Sequence, residues 1–192
     1  SNENVSFNIN YELGNNSSLI LSKFYSNNKC NDYSIINLNK KGANVKYNFS
    51  CICDNDNFYK IDIHHLDKDT SSDIFNRVIA KENSSNYFDI NSYVDNGIKN
   101  CYLNQSTKIV SLGGSANRVN PNMFISEDDV TAIHSSTIGS INEDDLFYLM
   151  SKGINYSDSV KLIVKGMILS NINPDMEYRE KILNILDTIG GE

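Results

Sequence analysis

Along the first two thirds of the chain, apolar and polar residues alternate with a period of two. Val5, Phe7, Ile9 and Tyr11 alternate with Ser6, Asn8 and Asn10, the pattern of a strand with one buried face. Gly14-Asn15-Asn16 predicts a turn, after which Leu19-Ile20-Leu21 is extended again. A short run from Tyr33 to Leu38 ends at a second turn signal, Lys41-Gly42-Ala43-Asn44. Val45, Tyr47 and Phe49 then alternate with Lys46 and Asn48, and Tyr59, Ile61 and Ile63 with Lys60 and Asp62. Further extended segments are predicted at Phe75 to Ala80, Tyr87 to Ile90, Lys108 to Leu112 and Met123 to Ile125. The last, Val130 to Ile133, leads through His134 into a small-residue turn. Nothing helical of any length precedes Ile141. Many short strands at fairly regular spacing suit a sandwich, a barrel or a solenoid of stacked parallel strands, and no repeat of fixed period separates these.

Beyond residue 139 the period changes. Asn142 is placed to cap a helix, with Asp145 in the capping-box position and Ile141 able to pack on Leu146 as a hydrophobic staple. Gly153 follows the last periodic residue and stops that helix. A second helix, Ser157 to Ser170, puts Val160, Ile163, Val164, Met167 and Ile168 on one face. For a third, Asn173 is expected as N-cap with Pro174 at the first helical position, the pattern Glu177, Ile182, Ile185, Leu186, Ile189 running to Gly190-Gly191. The chain therefore divides into a β core, 1–139, and a helical region, 140–192.

Composition narrows the class. A length of 192 residues suits one domain with a sizeable core, and a net charge of −7 argues against nucleic acid, whose phosphates need clustered Lys and Arg. No apolar run is long enough to span a bilayer, and no signal peptide is expected; Ser1-Asn2 reads as a cloning remnant. Four cysteines without secretory marks predict free thiols in a reducing cytoplasm. Only 2 prolines occur, whereas Asn, which tolerates left-handed backbone at turns, crowds the β part, so stacked coils with Asn at their corners are compatible with it.

The stretch Val130 to Gly153 resembles the C-terminal signature of the SufB/SufD family, the β-helical subunits of the Suf iron–sulfur cluster assembly system. His134, Thr137, Ile138, Gly139, Leu146, Phe147, Tyr148, Leu149, Ser151, Gly153 and Ile154 stand at the matching places, and Asn120 to Ile125 and Asp128-Asp129-Val130 resemble the family's lead-in. The resemblance covers about the last third of the chain well and the rest only in style. It implies a mainly β fold, a right-handed parallel β-helix with a C-terminal helical tail. It also implies a non-catalytic cytoplasmic subunit that partners a SufC-like ATPase and either a SufB/SufD-like subunit or a second copy of itself. In such proteins the histidine matching His134 lies near the subunit interface, where a transient iron–sulfur cluster is held. The chain is far shorter than the usual member, and Ala132 stands where the signature has a cysteine, removing a soft ligand that iron would favour.

The candidate residues follow. Imidazole suits iron, so His134 is the first metal candidate, against a structural histidine at the domain junction. Cys51 and Cys53 would point to one face of a continuing strand and could bind metal together, but C-x-C lacks a second pair, and buried cysteine is also a small apolar residue. Cys30 and Cys101 carry the same two readings. His64 and His65 face opposite ways on a strand, cannot chelate together, and are expected at the surface or a corner. Leu112-Gly113-Gly114-Ser115 lacks the lysine of a phosphate loop, and no nucleophile–base order suggests an enzyme. On the first helix, Leu146, Phe147, Leu149 and Met150 are too many apolar residues for one stripe, so Asp145, Leu146, Phe147, Tyr148, Met150, Lys152 and Ile154 are the candidate partner surface. Two rival readings remain: an interaction module that has lost cluster chemistry, and an unrelated solenoid that binds a ligand along an aromatic or carboxylate-lined face.

Overall fold

A computed structural model describes residues 4–26 and 29–189, and the expected glycine stop at Gly190-Gly191 lies outside them. Ten strands come first: β1 (Asn4–Leu13), β2 (Ser18–Ser26), β3 (Lys29–Leu38), β4 (Asn44–Cys53), β5 (Asp56–His65), β6 (Ser71–Lys81), β7 (Ser85–Val94), β8 (Cys101–Leu112), β9 (Ala116–Ile125) and β10 (Val130–Gly139). Odd strands form one parallel sheet in the order β1-β3-β5-β7-β9, and even strands a second in the order β10-β8-β6-β4-β2. Each coil thus gives one strand to each sheet, and five coils stack into a parallel β-solenoid, as the resemblance implied.

Between the sheets lies the first core. Inward positions of β4 and β5, Val45, Tyr47, Phe49, Cys51, Tyr59, Ile61 and Ile63, are buried, and outward Lys46 and Lys60 are not. Rings stack up the axis: Phe49 lies 4.7 Å from Tyr59 and 5.8 Å from Phe88, centroid to centroid. The corner that joins the two strands of a coil uses left-handed backbone in the first four coils, at Asn16, Gly42, Asp69 and Asn100 (φ 50, 71, 59 and 56). Asn and Asp tolerate this region, and other Asn side chains bond from coil to coil, as Asn57 to Asn86 and Asn86 to Asn117 do. At Gly42 a Cβ would also strike the Asn16 side chain.

Three helices follow: α1 (Glu143–Ser151), α2 (Tyr156–Ile172) and α3 (Met176–Leu186). Val160, Val164, Ile168 and Ile172 of α2 bury against Ile52, Ile79 and Val110, on the outer face of the even-strand sheet, with Ile182 and Leu186 of α3. Asn171 fixes the crossing by donating to the Phe49 carbonyl (2.9 Å) and the Ser50 hydroxyl (3.0 Å). Among the described residues no helix is long and apolar enough to cross a membrane.

Two local expectations are corrected. The small-residue turn after His134 is strand: Ser135 to Gly139 continue β10 in register with Ser106 to Val110. Pairing with a neighbour overrides the weak strand propensity of serine and glycine. Asn173 does not cap α3 but ends α2, with φ 39 and its N–H on the Leu169 carbonyl. The proline after it disfavours helical backbone at Asn173, and the cap falls to Asp175, whose side chain accepts from Tyr178 N.

Candidate functional site

β10 and β9 end their sheets, so the solenoid is open beyond them. The β10–β8 register places Ala132 beside Leu103, His134 beside Gln105 and Ser136 beside Thr107. Leu103, Gln105 and Thr107 are buried and face the solenoid interior, so their partners on β10 face the same way. With no further coil above, every residue of β10 after Val130 is exposed. His134 therefore stands on the end face of the core, flanked by the small side chains of Ala132 and Ser136.

Directly inside it the core becomes polar. Gln105 Nε2 donates to Ser92 Oγ at 2.8 Å and to the Asn122 carbonyl at 3.2 Å, and Asn76 Nδ2 donates to Thr107 Oγ1 at 3.0 Å. The remaining amide oxygens, Gln105 Oε1 and Asn76 Oδ1, are buried with no partner. Buried acceptors of this kind are rare, and of the two it is Gln105 Oε1 that belongs to the register neighbour of the exposed His134. Sequence reading missed them, although Gln105 and Asn76 occupy inward places in strands whose other inward residues are mostly apolar.

The thiols lie elsewhere. Cys51 and Cys53 do share a face, with sulfurs 3.1 Å apart, and Tyr59 Oη is 3.8 Å from Cys53. Both are buried inside the solenoid, and burial followed by the Cys53 hydrogen bond pushes the Cys51 thiol well up. Burial also pushes Cys30 up to about 11. All three are buried and fill the core as small apolar residues. β8 and β6 separate β4 from β10 by three strand spacings, about 14 Å across the sheet, and Cys51 lines up with Ile138, four residues along β10 from His134. Cys101 is buried at the start of β8 with its sulfur 3.3 Å from Thr70 Oγ1. Among the described residues no group of three or more His, Cys, Asp and Glu is arranged to hold a metal. Of the three histidines, His134 is the most exposed, His64 is half-buried and His65 is buried.

Of the two neighbouring histidines only one is at the surface. His64 faces out and stacks on Tyr93, ring centroids 4.5 Å apart. His65 continues the inward series Tyr59, Ile61, Ile63 and is buried, held between Thr70 Oγ1 (2.8 Å) and Ser72 Oγ (3.0 Å). Burial lowers its pKa from 6.5 to about 4, so the ring is neutral.

The α1 surface is built by its caps. Asn142 Oδ1 accepts from the backbone N–H groups of Asp144 (2.8 Å) and Asp145 (3.2 Å), and Ile141 and Leu146 share the helical core as the staple requires. At the other end Gly153, φ 88, donates to the Met150 carbonyl and Ile154 to that of Leu149, a Schellman closure. This rotation turns Leu146 and Leu149 inward and leaves Phe147, Tyr148 and Met150 exposed, Phe147 to 76%. Asp145 and Lys152 flank them, the Lys152 ammonium 5.4 Å from the Tyr148 ring centre, while Ile154 is half-buried. Leu146 is thus a staple residue, and the free apolar patch is Phe147, Tyr148 and Met150.

Comparison with known proteins bears on this geometry. The family model described as "SUF system FeS cluster assembly, SufBD core domain" matches residues 6–167. The iron–sulfur cluster assembly protein SufD of Bacillus subtilis is 26% identical over 128 residues, 65% of this chain and 29% of its own length. SufD of Escherichia coli is 41% identical over 44 residues, 23% of this chain and 10% of that protein. A SufBD family protein of Pyrococcus horikoshii is 40% identical over 48 residues, 25% and 11% of the two chains. The matched region spans less than a third of each relative.

Proposed function

The chain belongs to the SufBD family of iron–sulfur cluster assembly proteins, and from that premise we propose that it is a non-catalytic scaffold or adaptor subunit with two docking surfaces. The first is the open end of the solenoid, which receives a SufB/SufD-like subunit or a second copy of this chain. His134 there supplies one ligand to an iron–sulfur cluster carried between subunits as cargo, and the partner supplies the rest. The second is the apolar patch of α1, which docks a SufC-like ATPase.

The observation that carries this reading is the position of His134 on the exposed end face of the last coil, along the unpaired edge of β10. A strand edge with a free ladder of N–H and C=O groups is a template for another chain. The imidazole is the only metal-binding side chain that β10 brings to that face. Phe147, Tyr148 and Met150 suit a helix-in-groove contact, with Asp145 and Lys152 as its polar rim.

Anaerobic reconstitution with iron and sulfide, with and without the cognate SufC-like ATPase, tests the proposal. A visible chromophore that His134→Ala abolishes, with the ATPase co-eluting, is the expected result. Co-elution without a chromophore would favour the second reading, an interaction subunit without cluster chemistry, which Ala132 in the cysteine place of the signature also favours. Neither result with either partner would sink both.

A further inference from the structure

We infer that Gln105 is the positioning residue of His134: its amide oxygen accepts the N–H of one ring nitrogen, fixes the tautomer, and leaves the other nitrogen's lone pair facing out of the solenoid. The inference rests on the reading of His134 as a cluster ligand. Three observations carry it. The two residues are register partners on adjacent strands and face the same side. Same-facing neighbours on paired strands stand about 5 Å apart at Cβ, within reach of two side chains of this length. Gln105 is buried, and its orientation is set by its own partners. The Asn122 carbonyl can only accept, so the amide nitrogen must point to it and Oε1 must point away. That oxygen is buried and unpartnered, whereas the His134 ring is exposed and makes no hydrogen bond among the described residues. A rotation of an unrestrained side chain therefore satisfies an acceptor that otherwise stays unpaired at a cost.

An amide suits this task better than a carboxylate would. It takes the N–H without placing a charge beside the ring, and it leaves the second nitrogen as the outward-facing metal-binding atom. Ser92 Oγ and the Asn122 carbonyl in turn hold the amide from the opposite sheet, so the orientation of His134 is anchored to both walls of the solenoid. Asn76 is not in this column; it lies beside Thr107 and reads as its holder.

The test is the ring tautomer, read on the full chain with ring-¹⁵N histidine by long-range proton–nitrogen correlation. Only 3 histidines occur, and His134→Ala assigns the signal. Gln105→Met keeps the volume and removes the amide; it is expected to change the His134 tautomer ratio about fivefold, the weight of one net hydrogen bond. Gln105→Asn keeps an amide but shortens it by a methylene, and is expected to do the same, which guards against a repacked core in the first variant. An unchanged tautomer ratio in a folded Gln105→Met or Gln105→Asn overturns the inference. The two readings fail separately. If His134→Ala abolishes the cluster chromophore but the tautomer ignores Gln105, the pairing is wrong and the scaffold reading stands. If the tautomer responds but His134→Ala leaves the chromophore intact, the pairing is right and the ligand assignment is wrong.

Discussion

At the scale of single residues, what decides function is which face of a strand a side chain is on. His64 and His65 show how far the sequence carries that decision. Their opposite facing follows from adjacency alone, and it is what the structure has. That His65 is the inward one was also written in the chain, since it continues Tyr59, Ile61 and Ile63 at the same alternation. What hides it is chemistry: a histidine is not expected inside until two hydroxyls, Thr70 and Ser72, are seen to satisfy both its nitrogens. Gln105 was illegible for the same reason, because its partners Ser92 and Asn122 come from other strands. The buried ring makes a pH prediction. Its folded pKa of about 4 lies below the ordinary 6.5 of the unfolded chain. As pH falls the unfolded state is therefore protonated first, and stability is lost between those two values. The contribution is full above pH 6.5 and gone below about 4, roughly 3 kcal/mol in all. Denaturant melts across that window should show the loss in the wild type and a smaller one in His65→Leu. Equal slopes would mean the ring is not buried neutral.

At the scale of elements, the strands were legible and the repeat was not. Asn4 pairs with Lys29, Asn31 with Phe58, Asp56 with Ser85 and Ser85 with Ala116, so each coil of the odd sheet is longer than the one before. A drifting period has no fixed spacing for a sequence comparison to find, although every strand keeps its own alternation. The first coils contain one pairing that alternation conceals. Lys23 of β2 points inward, where its ammonium sits 2.8 Å from the Asp32 carboxylate and 2.7 Å from Ser34 Oγ. Tyr25 donates to the same carboxylate at 2.6 Å, and burial together with that bond raises its phenol well above the usual range. Both charges are nearly excluded from water. Removing one would leave the other buried without its partner. Lys23→Met is expected to cost about 3–5 kcal/mol in chemical denaturation, and a Lys23→Met/Asp32→Leu double variant to recover most of it. If the single variant is neutral, the pair is solvated in solution and the first coil is looser than described.

At the scale of the whole molecule, the two proposed docking surfaces belong to different layers. The end face is made by the last coil of the solenoid. The α1 patch is made by a helix whose contacts run to α2, and α2 in turn packs on β2, β4 and β6. The cap chemistry at Asn142 and Gly153 orients the patch, and the strand register orients His134, so neither depends on the other's side chains. The sequence signature reads as one motif although it crosses from the last strand into the first helix, and the fold separates its halves, one for each proposed contact. The two functions should therefore be separable by mutation. Phe147→Ala/Tyr148→Ala removes exposed rings only, so its melting temperature should match wild type while co-elution with the ATPase is lost. Ile138→Lys places a charge on the exposed end face, where the matching inward position of β8 is buried Ile109. It should abolish subunit pairing and the cluster chromophore, leave the ATPase contact intact, and likewise spare the melting temperature. Size-exclusion elution of both variants with and without the ATPase measures all of this at once. Should either variant lose both partners while remaining folded, the surfaces are one, and the ATPase contact reaches across the end of the solenoid.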